Sequence, residues 1–230
     1  MSPYDLTRDA VRSLYDARIH TPAVLDPAHY FPNAQRFLDS WTDIRREALV
    51  IRGTLAQVPR FHDIMREQAD ISANDGRDWR MFILKAYGVD VPRNRARCAT
   101  LSALLDECDD VVSCVLSFLA PGKHIPRHRG PFRGVLRFHL GLAMPRGADG
   151  SLGTLLDVDG EEHRLDNGDY LLWDDTYPHE VWNRTDEVRI ALLLDVWRRD
   201  MPLDMRMLSH LVVLAVRLGI RVTGALTMET

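Results

Sequence analysis

From residue 111 onward the chain changes character. "VVSCVLSFL", "GVLRFHLGLAM", "LGTLLDVDG", "EEHRL", "GDYLLWDD", "HEVWNRT" and "VRIALLLDVW" follow one another, separated by Gly, Pro, Asn and Asp. Each segment is rich in Leu, β-branched and aromatic residues, and each is too short for a typical helix. Closely spaced short strands with turn signals bury their apolar faces only against one another, as a sandwich or barrel. Asp159-Gly160 suits a two-residue hairpin turn, and Asn167-Gly168 turns the chain into the next strand. The expected core is a jelly-roll-like double sheet over residues 111–200.

The first 110 residues read as a helix-rich support. "DLTRDAVRSLYDARI" has helical spacing through Leu6, Val11, Leu14 and Ile19. "AQRFLDSWTDIRREALVI" brings Phe37, Trp41, Ile44 and Leu49 near one face. "TLSALLDEC" begins with Thr100 as a helix cap, and "RNRAR" at 93–97 reads as a solvated loop. A C-terminal helical tail is expected over 203–230. Its uninterrupted apolar run, Leu211–Val216, is followed by Arg217 and Arg221. A span needs about 20 apolar residues, so the tract at 208–222 reads as a packed helix with peripheral membrane contact as its alternative. At 230 residues without repeats, one domain is expected. The formal net charge of -4 gives no electrostatic reason to expect nucleic acid. Three cysteines without a CxxC pair argue against a disulfide framework and a zinc ribbon. With no apolar leader core at the N-terminus, a cytoplasmic location is expected.

Nine histidines are present. His20, His29, His62 and His210 lack an acidic or histidine partner at ligand spacing and read as surface or core residues. His163, in "EEHR", reads as exposed. His124, His128, His139 and His179 lie in the β-rich half, on strands or beside Gly and Pro turns, where rigid sheets fix ligand geometry. Two imidazoles suit Fe, Zn, Cu or Ni. Non-haem iron sites of the H-x-D…H type want an acid two residues after the first histidine, yet "HRG" has Gly130 there.

"HRGPFRGVLRFHLGL" (128–142) and "WDDTYPHEVWNRTDEVRIALLLDVWR" (173–198) resemble the aspartyl/asparaginyl β-hydroxylase family. The shared pattern is H-x-G-P, then R-x-H-L-G-L, then D-D-x-x-x-H-E-x-W, then an arginine. "FLDSWTDIRREAL", "DWRMFIL" and "LSFLAPGKHIPRHRGP" are also similar, so the resemblance spans roughly residues 25 to 200. It implies a double-stranded β-helix, Fe(II) and 2-oxoglutarate dependence, O₂ as oxidant, and hydroxylation of an unactivated C–H. It also implies a metal held by two histidines without a carboxylate, so Gly130 fits the pattern.

The implied iron ligands are His128 and His179. Arg189 is the implied partner of the distal 2-oxoglutarate carboxylate, because a guanidinium binds carboxylate bidentately. Ser117 is the implied hydroxyl on that same carboxylate. Arg137 and His139, two apart on a strand, share a face near cosubstrate and metal, either in direct contact or orienting the ligands. His124 reads as a neighbour or a structural turn residue. Asp174 and Asp175 read as hydrogen-bonding the turn before His179, and Trp182 and Trp197 as core. The substrate expectation leans to an Asp/Asn-like amino-acyl or peptidyl group, with a membrane-lipid fatty acyl chain as alternative. A non-catalytic cupin-like binding module is the alternative of a different class.

Overall fold

In the computed structural model, residues 3–223 are described. The helices are α1 (Pro3–Asp16), α2 (Pro27–Tyr30), α3 (Ala34–Asp39), α4 (Trp41–Arg52), α5 (Phe61–Ile64), α6 (Pro92–Arg95), α7 (Ala99–Glu107) and α8 (Leu203–Thr223). The strands are β1 (Trp79–Ala86), β2 (Val89–Asp90), β3 (Val111–Leu119), β4 (His124–His128), β5 (Val135–Ala143), β6 (Thr154–Val158), β7 (Glu161–His163), β8 (Tyr170–Trp173), β9 (His179–Asn183) and β10 (Arg189–Trp197). Residues 224–230 of the expected tail lie outside the described residues.

Two antiparallel sheets face each other. The larger has the order β2-β1-β3-β10-β5-β8 and the smaller β4-β9-β6-β7. From β3 to β10 the chain alternates between them, apart from the β6–β7 hairpin. That winding is a double-stranded β-helix, as expected. Asp159 and Gly160 form the hairpin's two-residue loop with φ of 55° and 90°, which Gly adopts without steric cost.

Alternation along the strands decides what faces the space between the sheets. Leu116 and Phe118 of β3, Leu136, Phe138 and Leu140 of β5, and Leu192 and Leu194 of β10 belong to a core shared with Phe37, Ile44 and Leu101 of the helices. Successive side chains on a strand point to opposite faces. Ser117, Arg137, His139 and Arg189 therefore face inward, toward the smaller sheet. There Trp79, Leu119 and Trp173 of the large sheet meet Ile125, Leu156 and Val181 of the small one. Covering on both sides explains why every residue of β3 is buried, a pattern unusual for antiparallel strands.

The N-terminal half departs from expectation in several places. It supplies β1, whose register with β3 runs from Trp79↔Leu119 onward, so the large sheet begins well before residue 111. The helical stretch at 34–51 is broken at Ser40. On α1, Tyr15 is fully buried while Leu14 points outward, and Ile19 lies beyond the helix. Thr100 does not cap α7. The cap position is Cys98, and Glu47 of α4 accepts from the Thr100 and Leu101 amides instead. A tertiary carboxylate thus satisfies the free amides that a local side chain was expected to take. "RNRAR" overlaps α6, which starts at Pro92, and Arg95 bonds Asp90 and Asp106. The three cysteines are buried and unpaired.

Candidate active site

β4 and β9 are neighbours, and their register places His128 opposite His179. The ring centroids are 4.0 Å apart. β4 is an edge strand, so Pro126 costs it no ladder bond it needs. A register shift between Ile125 and His128 re-aims the end of the strand. His128 Nδ1 lies 2.8 Å from Pro126 O, and His179 Nδ1 lies 2.9 Å from Tyr177 O. A carbonyl accepts only, so each Nδ1 carries the proton and each Nε2 presents a lone pair. Burial holds the His128 imidazole below its usual range. Burial and the neighbouring His128 hold His179 well below it. Both rings are therefore neutral, the state a metal requires of imidazole.

The turn before His179 is fixed by Asp174. Its Oδ1 accepts from Thr176 N at 3.0 Å and Thr176 Oγ1 at 2.6 Å. Its Oδ2 accepts from Arg133 Nε at 2.9 Å and from Arg198. Arg133 continues to Asp16 of α1 at 2.6 Å, and its guanidinium lies over the Tyr177 ring. Asp174 thus does what the sequence suggested. The Asp175 carboxylate instead sits 3.2 Å from Arg137 Nη2, and its backbone carbonyl accepts from Gly130 N at 2.6 Å. Burial pushes the Asp175 carboxyl up to about 6 despite Arg137. Arg137 is also forked onto Asp195 Oδ1, at 3.0 and 2.8 Å. It is a charge-neutralised strut beside the histidine pair.

A second group lies deeper. Arg189 is buried, and its Nη2 donates to His139 Nε2 at 2.6 Å. Its Nε is buried with no partner among the described residues. Burial pulls the guanidinium down to about 10, and burial with the adjacent Arg189 charge keeps His139 neutral. A buried cation without a counter-ion is costly, and an anionic ligand would relieve it. Arg189, His139, Thr154, Leu156 and His163 line one narrow cavity. Ser117, on the adjacent strand, accepts from Trp79 Nε1 at 3.0 Å, and Ala191 is its register partner on β10. Its hydroxyl hydrogen makes no bond among the described residues. Ser117 does not line the narrow cavity.

His163 corrects the sequence reading. Its Nε2 is buried, without a partner among the described residues, on the cavity wall with Arg189. His163 reads as exposed in "EEHR", but it pairs with Leu156 of the inner core, so its ring lies on the inner side of the edge strand β7. Trp182 is not core. It stacks on His124 at 4.7 Å on the outer face, where His124 bonds Glu180 at 3.1 Å. His124 is therefore remote in role from the inward pair. Among the described residues, no group of three or more His, Cys, Asp or Glu could hold a metal.

Fold and site define a double-stranded β-helix with two neutral inward imidazoles and a buried, uncompensated arginine in the same inter-sheet space. A sequence profile described as aspartyl/asparaginyl beta-hydroxylase matches residues 38–199, and the chain belongs to that family. The ornithine lipid ester-linked acyl 2-hydroxylase of Rhizobium tropici is 35% identical over 179 residues, covering 78% of this chain and 62% of that protein. The aspartyl/asparaginyl beta-hydroxylase of Homo sapiens is 29% identical over 137 residues, covering 56% of this chain and 17% of its own. Human aspartate beta-hydroxylase domain-containing protein 2 is 32% identical over 129 residues, covering 52% and 33%. The chain thus spans less than two thirds of the length of each of these relatives.

Proposed function

We propose that the chain is an Fe(II)- and 2-oxoglutarate-dependent oxygenase that hydroxylates an unactivated C–H, and that its substrate is the acyl chain of a membrane lipid. The observation that carries the reading is Arg189, a buried guanidinium whose Nε lacks a partner among the described residues, on the inner face of the large sheet, across the inter-sheet space from the sheet that holds the histidine pair. A dicarboxylate cosubstrate meets both needs, chelating at one end and pairing at the other.

His128 and His179 would hold the metal through Nε2, since both Nδ1 atoms are committed to carbonyls. Iron(II), with 2-oxoglutarate and O₂, supplies the oxidising power that converts C–H to C–OH, releasing succinate and CO₂. The protein's own residues bind, orient and exclude water. Arg189 would take the distal carboxylate, with His139 fixing the guanidinium and Ser117 offering a hydroxyl from the adjacent strand. His163 would close the cavity wall. Arg137, held by Asp175 and Asp195, would position the carboxylate of Asp175 beside the histidines. Asp174, Arg133 and Arg198 would keep the turn that aims His179.

The acyl substrate is favoured over the peptidyl one by the relative that acts, by its name, on a lipid-linked acyl chain. That relative matches 78% of this chain, against 56% for the human β-hydroxylase. The test combines purified protein with Fe(II), O₂ and 2-oxoglutarate, with and without host lipid extract. Succinate formation, and a lipid heavier by one oxygen atom, are expected. Absence of both succinate and 2-oxoglutarate binding would sink the oxygenase reading. An oxidised peptide with unchanged lipid would restore the peptidyl reading.

A further inference from the structure

Helix α8 is anchored by one face and bare on the other. Inward, Met205, Ser209 and Val213 are buried, and the Tyr15 and Ser209 hydroxyls are 2.8 Å apart. Arg217 Nε donates to Tyr87 O at 3.0 Å. Outward, Leu203, Met207, Leu211, Leu214, Leu218 and Val222 are 47–85% exposed. Their spacing of three and four keeps them on one side through the whole helix, about 30 Å. A contiguous apolar stripe of this size on a folded surface marks a contact site.

Charge and composition choose the occupant. Arg206 and Arg221 are exposed along the stripe. Asp204 is the only acid in the helix, and it is paired with Arg18 at 2.7 Å. On a chain of net charge -4, this basic margin turns one face toward an anionic surface. The stripe holds Leu, Met and Val with no aromatic. Protein hot spots favour Trp, Tyr and Arg and under-use Leu and Val, so a bilayer fits better than a protein partner. No described helix is long and apolar enough to cross a membrane, so α8 would lie in the interface plane.

We propose that α8 seats the chain on an anionic bilayer, with the apolar stripe among the acyl chains and Arg206 and Arg221 among the phosphates. The buried face of α8 packs with Phe132 and Val135, in and after the connection that follows His128. The docking face is thereby rigidly joined to the segment that carries a candidate ligand. The inference rests on the acyl-substrate reading for its purpose, but its test does not depend on activity.

The test is flotation of the full chain with vesicles of phosphatidylcholine, alone or mixed with phosphatidylglycerol. The chain is expected to float with the mixed vesicles, less so at high salt. Leu211→Gln with Leu214→Gln and Leu218→Gln should reduce the partition coefficient about a thousandfold, given on the order of tenfold per inserted leucine. Arg206→Glu with Arg221→Glu should remove the preference for phosphatidylglycerol. No flotation, or flotation unchanged in the triple variant, overturns the proposal. So does a dimer in size-exclusion chromatography that the triple variant dissolves, because a second copy then covers the stripe. Succinate formation without vesicles, measured on wild type and triple variant, reports separately on the oxygenase reading. Succinate without flotation overturns the docking proposal and leaves the oxygenase standing. Flotation lost in the triple variant supports docking whatever the succinate result.

Discussion

A side chain at Gly130 would run into Asp175: its Cβ would fall 2.2 Å from Asp175 Oδ1, inside any permitted contact. The position that holds an acid in H-x-D…H iron sites is thus filled in space by a carboxylate from another turn. Gly130→Asp should therefore not build a three-ligand site. It should overpack two carboxylates against Arg137 and lower the melting temperature by roughly 5 °C or more. Combining it with Asp175→Gly should recover most of that loss. Calorimetry of both variants checks this, and a stable, fully active single variant would contradict the steric account.

The histidine pair predicts a pH dependence. Metal binding competes with protons for the imidazole nitrogens, and burial keeps both rings below the ordinary value of 6.5. Metal affinity should thus hold as pH falls through 6.5 and weaken only at lower pH. Titration with Fe(II) under anaerobic conditions across that range checks it. His128→Ala and His179→Ala should each lose bound iron, while Arg189→Ala keeps it. Equal iron content in wild type and His179→Ala would contradict the ligand assignment.

The strands from residue 111 onward and the hairpin at Asp159-Gly160 were legible in the sequence because each is local: short apolar segments between turn residues, and a turn dipeptide; His128 and His179 stood out only through the family resemblance. What was not legible depends on distant partners. Thr100 looked like a cap, but Glu47 from another helix takes the amides. β1 lay unread in a helical half because it gains strand character only by pairing with β3. Trp182 carried the composition of core yet stacks outward on His124. His163 sat among charges, and nothing local reveals that its Nε2 is buried on the wall of a cavity that Arg189 also lines. The role of Asp175 follows from the approach of two turns that the sequence separates widely.

Arg189 lowers the stability of the ligand-free fold. Its guanidinium is pulled down to about 10 from 12.5, so the folded state disfavours the charge. A cation depressed on folding destabilises the fold below the folded value, and the penalty fades as pH rises from 10 toward 12.5. At neutral pH the cost is roughly 3 kcal/mol. Arg189→Met should therefore melt higher than wild type when no ligand is added. Adding 2-oxoglutarate should raise the wild-type melting temperature and leave the variant unmoved. A variant that melts lower, or still responds to 2-oxoglutarate, would show that Arg189 is not the uncompensated partner of that carboxylate.

His163 should act on cosubstrate binding and not on the chemical step. Its Nε2 is buried and, among the described residues, unpartnered on the cavity wall that Arg189 and His139 share, and its strand partner is Leu156 of the inner core. A hydrogen bond from this ring to a bound carboxylate would contribute about 1.5–3 kcal/mol, on the order of tenfold or more in affinity. His163→Ala should raise the KM for 2-oxoglutarate by about that factor, with kcat nearly unchanged at saturation. His163→Gln keeps a donor at similar reach and should restore much of the affinity. Steady-state succinate formation against 2-oxoglutarate concentration separates the two constants. If kcat falls while KM holds, His163 serves the substrate side of the site; if neither changes, its buried nitrogen has no ligand.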